Sequence, residues 1–157
     1  MKEATIIYPH QLFIKHPGLA PDRVVYLVEE PLLLTEFPTH RQKLLLHRLS
    51  MQAYKNNVEK AGYQVNYLDV HDLTDTDSVF KKLTNDKVTK LHIVDTTDTW
   101  LEKRISSAAE KYSFTLNRYE SPLFLLEKED AVNRYKKSKK HMAAFYKQIR
   151  KDKNILI

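Results

Sequence analysis

Apolar and polar positions along the 157-residue chain alternate between two periods. Short, nearly continuous apolar runs recur at Thr5–Tyr8, Arg23–Val28, Tyr63–Leu68 and Lys90–Asp95. Runs of this length, rich in β-branched and aromatic residues, predict strands buried on both faces of a sheet. Phe114–Tyr119 alternates apolar with polar residues and predicts a last, partly exposed strand. The stretches between them carry helical spacing. Thr39 with Gln42 three residues later matches a capping box, Leu45, Leu46, Leu49 and Ala53 follow as an apolar stripe, and Gly62 supplies the stop. Arg23–Leu68 therefore reads as one complete βαβ unit. Beyond an acidic connector, Asp69–Asp77, a short helix turns Val79, Phe80 and Leu83 inward. Thr99 with Glu102 is a second capping-box pattern, opening a helix whose stripe is Leu101, Ile105, Ala108, Ala109 and Tyr112.

Alternating β and α elements predict an α/β fold: a Rossmann-like, doubly wound, five-stranded parallel sheet in the order 3-2-1-4-5, with helices on both faces. Pro9–Phe13 reads as a loop or short helix, and His16-Pro17-Gly18 as a polar turn. Past Ser121-Pro122 the pattern changes in kind. Glu127–Asn133 fits a short helix, and Ser138–Asp152 a basic amphipathic helix with Met142, Phe145, Tyr146 and Ile149 on one stripe. The expected organisation is an α/β domain over residues 1–133, then a basic helix and the start of a linker over 134–157. The apolar end, Ile155-Leu156-Ile157, fits either a cut through a larger protein or a natural tail packed on its own domain.

Charge sharpens this division. The net +6 is uneven: Arg134–Lys153 holds nine Lys/Arg and one acid, while the rest of the chain has 17 bases and 19 acids. A localised basic segment hints at an acidic partner. The chain has no cysteine, which excludes disulfides, thiolate nucleophiles and iron–sulfur ligation and suits a cytoplasmic protein. No apolar run is long enough to cross a membrane, and MKEATIIYP reads as a first strand rather than a signal peptide.

Only two glycines occur, Gly18 and Gly62, and neither follows a strand to open a helix. That removes the dinucleotide fingerprint and the P-loop. The seven histidines show no metal-ligand spacing, and no G-x-S-x-G elbow is present. His92 is expected to be a strand residue satisfied by its neighbours. Paired carboxylates stand at Glu29–Glu30 and Asp95–Asp98, at the carboxyl ends of strands where α/β sheets bind ligands. Glu29–Glu30 would serve a site at the switch between the first two strands or stay solvated, and Asp98 would serve the site or the adjacent helix start.

Three blocks carry a resemblance. Pro9-His10-Gln11-Leu12 resembles the D/H-Q-L element after the first strand of deoxyribodipyrimidine photolyase-related proteins. Val28-Glu29-Glu30 with His40-Arg41-Gln42-Lys43-Leu44 resembles their "VEE … H-K/R-Q-K" block. Phe145–Lys151 with Ile155-Leu156-Ile157 resembles their "FYR-x-x-R-K … ILM" segment. The ordered set runs from the first strand to the last residue, within the cryptochrome/photolyase superfamily and its bacterial (6-4) photolyase-like branch. The resemblance implies an N-terminal α/β domain able to hold a lumazine antenna chromophore, 6,7-dimethyl-8-ribityllumazine. It places FAD and a four-cysteine iron–sulfur cluster in a C-terminal helical domain with no counterpart in this chain. Antenna-pocket candidates carried over are His10, Gln11, Leu12, Val28, Glu29, Glu30, Phe37 and Lys43. His10 stands where the family pattern also has Asp. The implied partners are the parent's own FAD domain and, through that parent, DNA. On this reading the chain alone has no catalytic residue. Two other readings stay open: a degenerate scaffold without ligand, and a nucleotide-binding protein of the wider Rossmann-like class.

Overall fold

A computed structural model describes residues 2–155, so Leu156 and Ile157 at the apolar end lie outside the described residues. Five parallel strands form one sheet in the order β3-β2-β1-β4-β5, as the pattern predicts. They are β1 (Lys2–Ile7), β2 (Val24–Val28), β3 (Val65–Leu68), β4 (Val88–Val94) and β5 (Thr115–Tyr119). The helices of this unit are α1 (Pro31–Leu34), α2 (Arg41–Lys60), α3 (Thr76–Asn85) and α4 (Thr99–Lys111). No helix among the described residues is long and apolar enough to cross a membrane.

Side chains alternate across the sheet, so β1, β2 and β3 feed two cores. Ile6, Tyr8, Tyr26, Leu91 and Ile93 pack with Val79, Phe80 and Leu83 of α3 and with Leu101 and Ile105 of α4. Ile7, Val25 and Leu27 meet Met51 and Val58 of α2 on the other face. His92 is buried as expected: its Nε2 lies 2.7 Å from Glu3 Oε2 and its Nδ1 2.8 Å from the Tyr119 hydroxyl. The segment after β1 is an irregular loop, one of the two forms expected, and a turn stands at Pro17-Gly18 as expected, with His16 and Gly18 buried.

Three expectations about helices are corrected. The first concerns the face of α2. Leu45, Leu46 and Leu49 are 58%, 65% and 58% exposed, and Ala53 is exposed too. The helix docks through the opposite side, where Met51 and Val58 are buried and Leu44, His47 and Tyr54 are half-buried. Second, both helix starts are shifted by one residue. His40, not Thr39, caps α2, its Nδ1 accepting from Gln42 N at 3.3 Å. Asp98, not Thr99, caps α4 by accepting from Trp100 N and Leu101 N at 2.9 and 2.8 Å. Third, Arg134–Lys137 belong to α5 (Lys128–Lys137), and the last helix, α6, begins only at Met142 and ends at Lys153. Gly62 does end α2: at φ 91° it follows the C-cap Ala61, and Tyr63 N bonds back to Val58 O at 3.2 Å.

The chain divides into two compact units, one through Pro122 and one from Leu123 onward. The second unit pairs α5 and α6, with Tyr135 edge-on to Phe145 at 5.8 Å and Arg134 bridging Asp130 and Asp152. It holds ten bases and four acids, so the whole net charge of +6 resides there and the α/β unit is neutral.

Candidate functional site

The crossovers leave β1 toward β2 and β4 toward β5, in opposite directions, so a crevice opens between the carboxyl ends of β1 and β4. A pocket of 330 Å³ lies there. His10 follows β1, Thr96, Thr97 and Asp98 follow β4, Lys43 and His47 come from α2, and Leu33 and Leu34 form an apolar wall from α1.

The first loop is stitched to β4 by Gln11. Its amide donates to Val94 O at 3.0 Å and Asp95 O at 3.3 Å, while its carbonyl oxygen accepts from Tyr8 N at 3.4 Å. Gln11 is itself buried and holds His10 in place rather than lining the pocket. His10 stacks 9° from parallel to Tyr8 and hydrogen-bonds through Nε2 to Thr96 O at 2.8 Å. A carbonyl only accepts, so Nε2 carries the proton and Nδ1 keeps a lone pair. That Nδ1 is buried and has no partner. Burial lowers the imidazole pKa, with the Thr96 carbonyl and Asp98 opposing, so the ring stays neutral at pH 7. The pocket thus offers a fixed acceptor at His10, a cation at Lys43, a second imidazole at His47 and hydroxyls at Thr96 and Thr97.

On the β4 side, Thr97 sits in the left-handed region at φ 55° and its N–H is held by Asp95 Oδ1 at 2.9 Å. Asp98 then caps α4, which fixes the rim and identifies the second carboxylate pair as structural support. Asp98→Ala is expected to cost about 1 kcal/mol of stability, measured by urea unfolding.

A family model described as deoxyribodipyrimidine photo-lyase-related protein matches residues 5–157. The chain belongs to the photolyase-related family. It is also similar to an uncharacterised protein of Acanthamoeba polyphaga mimivirus, 32% identical over 171 aligned positions that cover all of this chain and 86% of the viral protein.

In this photolyase-related chain the eight candidate residues separate. His10 and Lys43 line the pocket together. Val28 is buried in the sheet core. Glu29 and Glu30 are fully buried and point to opposite sides of the sheet. Glu29 accepts from Arg48 Nε (2.8 Å), the Tyr67 hydroxyl (2.5 Å) and Val70 N (3.0 Å). Glu30 accepts from the Thr76 hydroxyl at 2.6 Å and from Leu32 N at 3.4 Å. Burial raises its pKa, offset in part by those two donors. Leu12 lines a separate pocket beside the far end of α2, and Phe37 is half-exposed with its ring 5.8 Å from that of Trp100. Leu33, Leu34 and Thr39 fall within residues 28–43, the stretch expected to border a pocket with residues 9–12, though they were not singled out; His47, Thr96 and Thr97 were missed. His47 had a usable signal, since it lies one turn beyond Lys43 on the same helix. The two threonines lie between Asp95 and Asp98 at the end of β4, next to β1 in the expected order, and the carboxylates beside them were the more conspicuous signal. Among the described residues no group of His, Asp and Glu is placed to hold a metal ion.

Proposed function

We propose that this chain is the antenna-chromophore domain of a photolyase-related flavoprotein, non-catalytic by itself, and that the β1/β4 crevice binds 6,7-dimethyl-8-ribityllumazine. The observation that carries the reading is the buried, unpartnered Nδ1 of His10 in a pocket at the sheet's switch point. A lumazine presents ring carbonyls, a ring N–H and a hydroxylated chain. His10 Nδ1 accepts from an N–H or hydroxyl, Lys43 and Thr97 meet carbonyl or chain oxygens, and Leu33 and Leu34 cover a ring face. A volume of 330 Å³ is at the lower end of the small-molecule range and suits a bicyclic ring. The bound chromophore would supply light absorption and energy transfer to a flavin. FAD and an iron–sulfur cluster fit no residues here: the chain lacks cysteine, and its two glycines build no phosphate cradle. Those groups belong to a C-terminal domain, the partner proposed for this chain in a cytoplasmic parent protein that reaches DNA.

The test is titration of the purified chain with the lumazine, followed by absorbance and fluorescence. Saturable binding that weakens by roughly tenfold or more in His10→Phe and Lys43→Ala is the expected result. Failure of the native chain to bind, or equal binding by both variants, would overturn the antenna reading and leave family membership untouched.

One observation favours a second reading, a ligand-free interaction domain. The outward face of α2 presents Leu45, Leu46 and Leu49 to solvent, an apolar strip of the kind that marks contact surfaces. That reading gains if the lumazine is not retained while Leu46→Asp abolishes binding to the parent's FAD domain.

A further inference from the structure

A second cavity, of 530 Å³, lies between the loop after β1 and the C-terminal half of α2, away from the crevice. Its walls are Leu12, Leu19, Tyr54, Val58 and Tyr63, with His16 among them. Lys15 and Asn57, both exposed, complete its rim.

The loop that forms one wall is pinned at both ends. The Tyr54 hydroxyl donates to Phe13 O at 2.9 Å, tying the loop to α2. The Thr5 hydroxyl donates to Gly18 O at 2.6 Å, tying it to the sheet. A side chain at position 18 would bring a Cβ within 3.0 Å of Thr5 Cγ2 and 3.2 Å of the His16 ring, so glycine allows this close approach. The wall is therefore preformed. Between the two pins Ile14 is fully exposed at the cavity edge, an apolar side chain left in water.

His16 is the informative residue. Its side chain is 5% exposed and its ring stacks on Phe13. Nδ1 accepts from Gly18 N at 3.1 Å, which leaves the proton on Nε2. Burial lowers the ring's pKa to about 4, so it is neutral at pH 7. Nε2–H is a buried donor with no partner. A buried donor left unmet is destabilising, and a ligand acceptor would satisfy it.

We propose that this cavity is a second ligand site, taking a flat aromatic molecule with a carbonyl acceptor on one edge and a carboxylate on another. The two tyrosines and the aliphatic wall cover the ring, His16 Nε2–H donates to the carbonyl oxygen, and Lys15 balances the carboxylate at the rim. None of its lining residues is shared with the β1/β4 crevice, so the proposal stands apart from the antenna reading.

The probe is 4-oxoquinoline-2-carboxylate, titrated into ring-15N-histidine-labelled protein and followed by NMR. Saturable binding near 100 µM is expected, with a shift of the His16 Nε2–H signal. Naphthalene-2-carboxylate, which lacks the carbonyl, should bind about tenfold more weakly. Asn57→Trp in α2 and Ala61→Trp at its C-cap, both at exposed positions on the cavity, should each block binding, and Lys43→Ala should leave it unchanged. No saturable shift up to about 5 mM, or full binding by both tryptophan variants, overturns the site. So does a His16 Nε2–H that exchanges magnetisation only with a bound water in the presence of probe.

Discussion

Arg48→Met is expected to cost about 3–5 kcal/mol in urea unfolding. Glu29 is fully buried at the end of β2, and Arg48 Nε is its ionic partner at 2.8 Å. Without the guanidinium, the carboxylate keeps only the Tyr67 hydroxyl and the Val70 N–H, neutral dipoles that do not balance a buried charge. Asp69, which accepts from Arg48 Nη2 at 2.5 Å, is about a third exposed and can rehydrate, so its loss matters less. Removing the charge together with its partner, in Glu29→Met/Arg48→Met, should cost less than Arg48→Met alone. The opposite ranking would mean that Arg48 acts through the packing of its stem.

The strands and their order were legible because both faces of this sheet are buried, which leaves near-continuous apolar runs with little ambiguity. Helix α2 shows the limit of periodicity. Leu44, Leu45 and Leu46 are consecutive, so its wheel is apolar on two opposite sides. The richer side, Leu45, Leu46 and Leu49, faces water. The docked side includes His47, Arg48 and Tyr54, and the polar ends of the last two find partners on the sheet and loop, Arg48 with Glu29 and Tyr54 with Phe13. A hydrophobicity count scores those residues as polar and so selects the wrong face. The capping boxes were displaced for a related reason. Thr39 and Thr99 satisfy the four-residue pattern, but His40 and Asp98 beside them have side chains already positioned for the N2 amides.

The site divides along the same line. His10 and Lys43 reach the crevice because His10 lies in the turn that follows β1 and Lys43 in the first turn of α2. Glu29 and Glu30 stand at the matching end of β2, yet successive strand residues point to opposite faces, and each finds donors from a flanking element. A carboxylate pair in sequence therefore became two separate buried anchors. Thr96 and Thr97 enter the pocket because β4 pairs with β1, as the expected strand order has it; they stand between Asp95 and Asp98, whose charges are the more conspicuous signal in the sequence.

Acidification from pH 7 to pH 4 is expected to remove about 3 kcal/mol of stability through His16 alone. The folded imidazole has its pKa lowered from 6.5 to about 4 by burial. Between those values the unfolded chain takes up a proton that the folded chain refuses. The unfolded state then binds more protons, so stability falls with pH through that window and levels off, for this group, below it. His10, also lowered by burial, acts in the same direction. Glu30 acts oppositely: its pKa is raised, so its folded form protonates first and relieves a penalty as pH falls. Glu3, Glu36 and Asp77 are lowered by their partners, and their losses come only as pH falls below the ordinary carboxylate range. His16→Asn separates these effects, because an asparagine oxygen can still accept from the N–H two residues on while nothing titrates. The native chain should lose about 3 kcal/mol more than this variant across the window, read from urea midpoints at fixed pH steps. Parallel curves for the two proteins would show that the His16 ring is reached by water in the folded state, and the unpartnered donor in the second cavity would disappear with it.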